Sequence, residues 1–222
     1  MLQALLMRSG SSAIPDVGTS PLRHVFETRK LEHKEGELWL EFGVASGDTI
    51  NFISQFTERH VFGFDSFEGL PEKWRDGFDK GAFSSGGSMP PVNANVRLVK
   101  GWFDTTLPVF LTARPDDRVS FVHIDCDLYS STKFVLEALK DRMVPGCVVV
   151  FDELVNFDGY GGDKSELRAL FEFVFENDVR FRWIGMNGVV DGPYACEHEK
   201  VAIVIDSICS FGMTASPPPE RT

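Results

Sequence analysis

The chain has 222 residues, 43% of them hydrophobic and 20 of them Phe, which suits one globular domain with a sizeable core. Its 22 basic and 33 acidic residues leave a net charge of -11 without any Lys/Arg stripe that could track phosphates, so nucleic acid is not an expected partner. Cys126, Cys147, Cys196 and Cys209 form no C-x-x-C pair and no zinc spacing, and no apolar run approaches the ~20 residues that span a bilayer; reduced thiols, no membrane and a cytoplasmic location are the expectations.

In chain order, MLQALLMRSGSSAIP carries one Arg, three Ser and no acid before Asp16, and reads either as a plain start or as the remnant of a transit peptide. Residues 1–36 form an N-terminal extension expected to supply lid elements. Glu37 to Phe42, ELWLEF, is an apolar strand that runs into the small-residue turn Gly43 to Gly47, after which Asp48 can cap a helix carrying Ile50, Phe52, Ile53 and Phe56. His60 to Asp65 is a second strand, completing a β-α-β unit, and Val96 to Lys100 a third, followed by a short helix in FDTTLPVFLTA. Arg118 to Asp125 is a fourth strand with Val119, Phe121, His123 and Asp125 on one face, and the helix after it, with Val135, Leu139 and Met143 at helical spacing, stops at Pro145-Gly146. The unbroken apolar run from Cys147 to Glu153 fits a parallel strand buried on both faces. Another helix, capped by Asp163, presents Leu167, Leu170, Phe171 and Val174; Phe181 to Asn187 and Lys200 to Asp206 then pair as strands without a helix between them. The fold class expected is α/β, a doubly wound, Rossmann-like, mostly parallel sheet with helices on both faces over residues 37–208, and a disordered tail over 209–222.

The connection Ser66 to Asn95 departs from the short loops elsewhere. It has 30 residues, five of them Gly, and interleaves Phe67, Trp74, Phe78 and Phe83; the aromatics favour a lid over a solvated tether.

Acidic groups end the strands at Glu41, Asp65, Asp125 with Asp127, and Asp152 with Glu153, all on the edge where a doubly wound sheet binds ligands. Asp65 lies 22 residues after Gly43, from where a carboxylate can accept both ribose hydroxyls of a nucleoside cofactor or, alternatively, cap the lid segment. The turn lacks the G-x-G-x-x-G spacing of a dinucleotide site, and Asp48 puts negative charge where a pyrophosphate would sit. A nucleoside without phosphates and with a positive charge, such as S-adenosylmethionine, fits better. Asp125, Asp152 and Glu153 either share a hard divalent cation, most simply Mg²⁺, or cap following helices and stay solvated. His123 reads as a hydrogen-bonded core residue, and His198 as a reserve general base.

The ordered segments EFGVASG, FGFDSFEGLPE, KGWFDTTLP, HIDCDLYSST and FDE resemble class I S-adenosylmethionine-dependent methyltransferases, in particular the macrocin O-methyltransferase group that modifies sugars of natural products; the resemblance covers roughly Glu37 to Phe175. It implies a seven-stranded sheet with a reversed last strand. It implies that Glu41, Phe42, Gly43, Ala45, Ser46 and Gly47 hold the methionine moiety, that Asp65 holds the ribose, and that Ser66, Phe67, Lys100, Gly101 and Trp102 surround the adenine, with Asp125 bordering the cofactor. Asp125 would be metal ligand and catalytic base, with Asp152 and Glu153 completing the metal site; the family usually has a second Asp where this chain has Glu153. The partner implied is a small hydroxylated acceptor. The macrolide-modifying members carry more N-terminal sequence, which puts a large glycosylated polyketide in question. A homodimer stays open, as does a metal-independent N- or carboxyl-methyltransferase or a nucleoside-binding protein without turnover.

Overall fold

The computed structural model describes residues 1–192 and 195–209; the expected tail beyond Cys209 lies outside them. Seven strands form one sheet in the order β3-β2-β1-β4-β5-β7-β6. They are β1 (Glu37–Phe42), β2 (Val61–Asp65), β3 (Val96–Lys100), β4 (Arg118–Ile124), β5 (Met143–Phe151), β6 (Arg180–Met186) and β7 (Val201–Ser207). β1 pairs in parallel with β2 and β4, β2 with β3 and β4 with β5, whereas β7 runs antiparallel to both β5 and β6. The expected parallel sheet with a reversed last strand is therefore what the chain builds, and inserting β7 between β5 and β6 decides which residues meet at the site.

Helices cover both faces. α1 (Leu2–Ser9), α4 (Phe103–Thr112), α5 (Tyr129–Leu139) and α6 (Glu166–Glu176) pack on one side through Leu5, Leu107, Val135 and Leu170 among others, against Leu40, Phe42 and Ile124. On the other side α2 (Pro21–Arg23), which runs on as a π-helical turn over His24–Thr28, and α3 (Asp48–Ser54) pack Phe26, Ile50 and Ile53 on Trp39 and Phe121. Phe26 alone meets the rings of Trp39, Phe56 and Phe121 at 5.2, 5.0 and 5.0 Å. Fully burying such side chains is worth ~2–3 kcal/mol each.

Several local expectations need correction. Met143 opens β5 instead of ending α5, and Pro145-Gly146 lies inside the exposed start of that strand; only β5 from Cys147 onward is buried. Val119 does not share a face with Phe121, because the pairing of β4 with β1 skips Ser120: Val119 packs with α4, α5 and α6, and Phe121 with α2 and α3. The cap of α6 is Ser165, whose side chain accepts the Arg168 N–H, while Asp163 instead pairs with the Arg168 guanidinium. Gly47, at φ 86°, takes the cap position of α3, with Asp48 as its first residue. Residues 1–36 cover the sheet away from the strand-end cavity: Arg8 binds Asp178 and the Val179 carbonyl, and Pro15 to Val17 hydrogen-bond to Met186 along the outer edge of β6. That blunts an edge strand, and none of residues 1–36 lines the strand-end cavity.

Candidate active site

Strands β1, β2, β4 and β5 end on one edge of the sheet, and the segments leaving them approach closely. Gly43 sits at φ 90°, and a Cβ there would lie 1.7 Å from the Asp125 carbonyl oxygen, so no other residue fits between the ends of β1 and β4. After it, the Val44 and Ala45 N–H groups donate to one oxygen of Asp65 at 2.8 and 2.9 Å, and the Phe67 N–H donates to the other at 2.7 Å. Asp65 thus locks the β1 turn to the end of β2 and to the first residues of the long loop. Three of a carboxylate's roughly four acceptor positions are taken, which leaves room for about one further donor, where the spacing alone allowed two. Ala45, Phe67 and Asp127 have φ of 44°, 60° and 63°, a left-handed conformation costing on the order of 1 kcal/mol each, and all three lie around this edge.

The other end is built from carboxylates. One oxygen from each of Asp125, Asp152 and Glu153 lies within 4.8 Å of the others, and Glu41, His123 and Asp125 form a second such group. Beneath them runs a buried row across four strands: Glu41 Oε1 meets His123 Nδ1 at 2.8 Å, His123 Nε2 meets one oxygen of Asp152 at 3.4 Å, and the Lys200 ammonium binds the other. Burial would drive the His123 proton off, but the hydrogen bonds of Asp152 and Glu41 hold the imidazolium up to about 10. Burial likewise opposes the charge on Asp152, yet His123 and Lys200 hold its carboxyl down to about 2. Burial and the charge of Asp152 push Asp125 and Glu153 well above the usual carboxylate range, and bring Asp127 to about 7 against the opposing pull of Arg75. Glu153 Oε2 and Glu41 Oε2 are buried without a hydrogen-bond partner.

A cavity of about 640 Å³ joins the two ends. Of the residues expected at the site, Gly43, Ala45, Asp65, Ser66, Trp102, Asp125 and Glu153 line it. Glu41 and Asp152 lie in the buried row below; Phe42 is core, stacked on Phe64 at 4.9 Å; Phe67 is buried. Lys100 binds the Gly87 carbonyl and so pins the long loop, while Ser46, Gly47 and Gly101 belong to the flanking turns without lining the cavity. His198 does not line it: its ring lies beside Gly188, near the Asp16 carboxylate.

The loop from Ser66 to Asn95 forms the cavity's roof with Leu70, Trp74, Phe78 and Phe83. It is pinned by Asn51, which bonds the backbone of Pro91 and Asn93, and by Arg75, whose guanidinium lies 3.8 Å over the Trp74 ring and 3.4 Å from the buried Glu199. Arg75, Phe134 and Lys200 were not singled out by the sequence. Arg75 could have been, as the one Arg of the loop, next to Trp74; Lys200 could not, because its partner is visible only once β7 is known to lie beside β5.

Residues 40–154 match the methyltransferase domain family. Among curated proteins, the chain is 31% identical over 158 residues to the 8-demethyl-8-(2,3-dimethoxy-alpha-L-rhamnosyl)-tetracenomycin-C 4'-O-methyltransferase of Streptomyces olivaceus, covering 60% of this chain and 58% of that one. It is 28% identical over 137 residues to the demethyldecarbamoylnovobiocin O-methyltransferase of Streptomyces niveus, covering 54% and 51%. The chain thus spans little more than half the length of these relatives. Among solved structures, the calicheamicin methyltransferase CalS11 superposes with a TM-score of 0.55 at 23% identity over 91% of this chain and 79% of that one, and the O-methyltransferase NovP with 0.51 at 23% over 75% and 71%. At these identities the structures attest the fold.

Proposed function

Because this chain belongs to the methyltransferase domain family, in its class I, S-adenosylmethionine-dependent branch, we propose that it transfers a methyl group to a hydroxyl oxygen of a small molecule such as a sugar, a polyol or a glycosylated natural product. Both curated relatives are named as O-methyltransferases of natural products, one of them of a rhamnosyl compound, which supports oxygen as the acceptor atom. The observation that carries the reading is the cavity's construction, with a bare, Asp65-locked turn at one end and buried carboxylates at the other.

S-adenosylmethionine, when bound, supplies an electrophilic methyl on a sulfonium. The chain's own residues orient and protect it. Gly43 and Ala45 let the backbone approach a ligand closely, the remaining acceptor position of Asp65 takes a ribose hydroxyl, and Ser66 and Trp102 border the base. Trp74, Phe78 and Phe83 exclude water from an in-line displacement and face an acceptor with an apolar body. Asp125 takes the hydroxyl proton, with Asp127 beside it as a second acceptor; burial raises the proton affinity of both, that of Asp127 to about 7.

The acidic end fits a hard divalent cation. Its donors are all oxygens, three of them converge, and Glu153 Oε2 is buried without a partner. Asp125, Asp152 and Glu153 would hold Mg²⁺, which would supply positive charge where the acceptor oxygen becomes negative.

Calorimetric titration with S-adenosylmethionine, followed by transfer of labelled methyl to a panel of sugars and glycosides, tests the reading. Binding with a dissociation constant below ~1 mM and label on oxygen are expected. Failure to bind the donor, or label found only on nitrogen or carboxylate, would defeat it.

A further inference from the structure

The antiparallel register of β5 and β7 pairs Phe151 with Val201, so the next residues outward, Asp152 and Lys200, face each other at the strand ends. Their side chains are only 12% and 18% exposed, and the Lys200 ammonium binds the Asp152 carboxylate directly. The charges of Asp125 and Glu153 also act on it. With His123 on the other oxygen, Asp152 has both oxygens engaged by protein cations, whereas Glu153 keeps a buried oxygen with no partner. The acidic end therefore contains one carboxylate that is already neutralised beside two that are not.

We infer that Lys200 is a positioning residue that supplies fixed positive charge to the acidic cluster and thereby weakens and sets its affinity for a divalent cation. The inference rests on reading Asp125, Asp152 and Glu153 as a cation site. The physical ground is simple: an ammonium in contact with one ligand repels a divalent ion from the whole group, and it occupies the Asp152 oxygen that the ion would otherwise share. In the wild type Asp152 should hold the ion more weakly than Asp125 and Glu153 do. Removing the ammonium should make Asp152 a full ligand and leave the cluster one charge more negative.

The test is Mn²⁺ binding to the full chain, followed by electron paramagnetic resonance at fixed pH without substrate. Lys200→Met should bind Mn²⁺ about tenfold more tightly than wild type or better, and Lys200→Arg, which keeps the charge, should stay close to wild type. Melting curves confirm that the variants are folded; should Lys200→Met fail to fold, Lys200→Gln removes the charge while retaining a donor for Asp152 and is expected to tighten binding likewise. Mn²⁺ bound by the neutral variants and not by wild type is the same result in its extreme form. Unchanged or weaker binding in the neutral variants, with wild type binding, overturns the role of Lys200 alone. No Mn²⁺ on any variant overturns the cation site together with it.

Discussion

The two ends of the cavity are built by different means. At the Gly43 end, backbone N–H groups and one carboxylate are tied to each other by three hydrogen bonds of 2.7 to 2.9 Å, and nothing there depends on an excess of charge. At the Asp125 end, side chains from four strands crowd several acids around two cations, and Glu41 and Glu153 each bury an oxygen without a partner. A site made of main chain is satisfied without its ligand and should bind over a wide pH range. A site made of excess buried carboxylates is strained until something positive arrives, so it should govern rate and pH dependence.

The sharpest way to break this contrast is Asp152→Asn. Methyl transfer should fall by on the order of a hundredfold while S-adenosylmethionine affinity changes little, as expected for lost electrostatic positioning. His123 and Lys200 would each lose a charged partner, so stability should also drop, by about 1–2 kcal/mol in a melt. Chelation of wild type should mimic the rate loss and Mg²⁺ restore it; equal rates in chelator and in Mg²⁺ would remove the metal from the mechanism. Full activity in the variant would make the cluster structural.

Asp65→Ala probes the other end and should show the reverse pattern. Donor affinity should weaken by about 1.5 to 3 kcal/mol, because the ribose contact goes and the Val44, Ala45 and Phe67 N–H groups lose their acceptor. Unchanged calorimetric affinity would reject the ribose role. With saturating donor the rate of transfer should be much less affected than in Asp152→Asn.

Stability against pH separates the ends without mutation. Asp127 is raised from 3.8 to about 7, so its contribution is present below about 4 and is lost as pH rises through about 7. His123 is raised from 6.5 to about 10, so its contribution is present below 6.5 and is lost as pH rises through about 10. Asp152, lowered from 3.8 to about 2, acts oppositely, but only below pH 4. Between pH 5 and 9 the metal-free protein should therefore lose stability steadily, by up to several kcal/mol at ~1.4 kcal/mol per pH unit for each group, and Mg²⁺ should reduce the loss. A melting temperature that stays flat across this range would show that the acidic end is not strained.

How much of this was legible in the sequence follows the same division. Period-2 and continuous apolar patterns marked the seven strands, and Gly43 with Asp65 at its spacing marked the main-chain end, because those signals are local. The acids at 125, 152 and 153 were visible as strand ends, yet their compensation was not. Glu41 with His123 and Asp152 with Lys200 are 82 and 48 residues apart, and only the strand order brings them together. Local reading also failed where the chain breaks its own period: at Ser120, whose bulge turns Val119 to the other face, and at Pro145-Gly146, which punctuates like a helix stop while sitting in the exposed start of β5.

The smallest expected effect concerns the roof that spans both ends. Residues 66–95 contain no helix or strand; turns such as those that pair Leu70 with Gly81 and Ala82 and Phe67 with Gly87 shape the loop, and side-chain pins tie it down: Asp65 and Lys100 at the Gly43 end, Asn51 at Pro91 and Asn93, and Arg75 with Glu199 at the acidic side. Without ligand the pins hold exposed backbone, and a protease that samples transient opening should cut here first. On the proposed reading, donor binding should add contacts at Ser66 and Trp102, so cleavage should slow severalfold, which corresponds to about 1 kcal/mol of added closure. Arg75→Ala should raise the cleavage rate of the free protein and leave much of the slowing by donor intact, because the Asp65 and Lys100 pins remain. Equal rates with and without donor would make the loop an ordinary one. Slowing that vanishes in Arg75→Ala would mean that the acidic side, not the main-chain end, closes the roof.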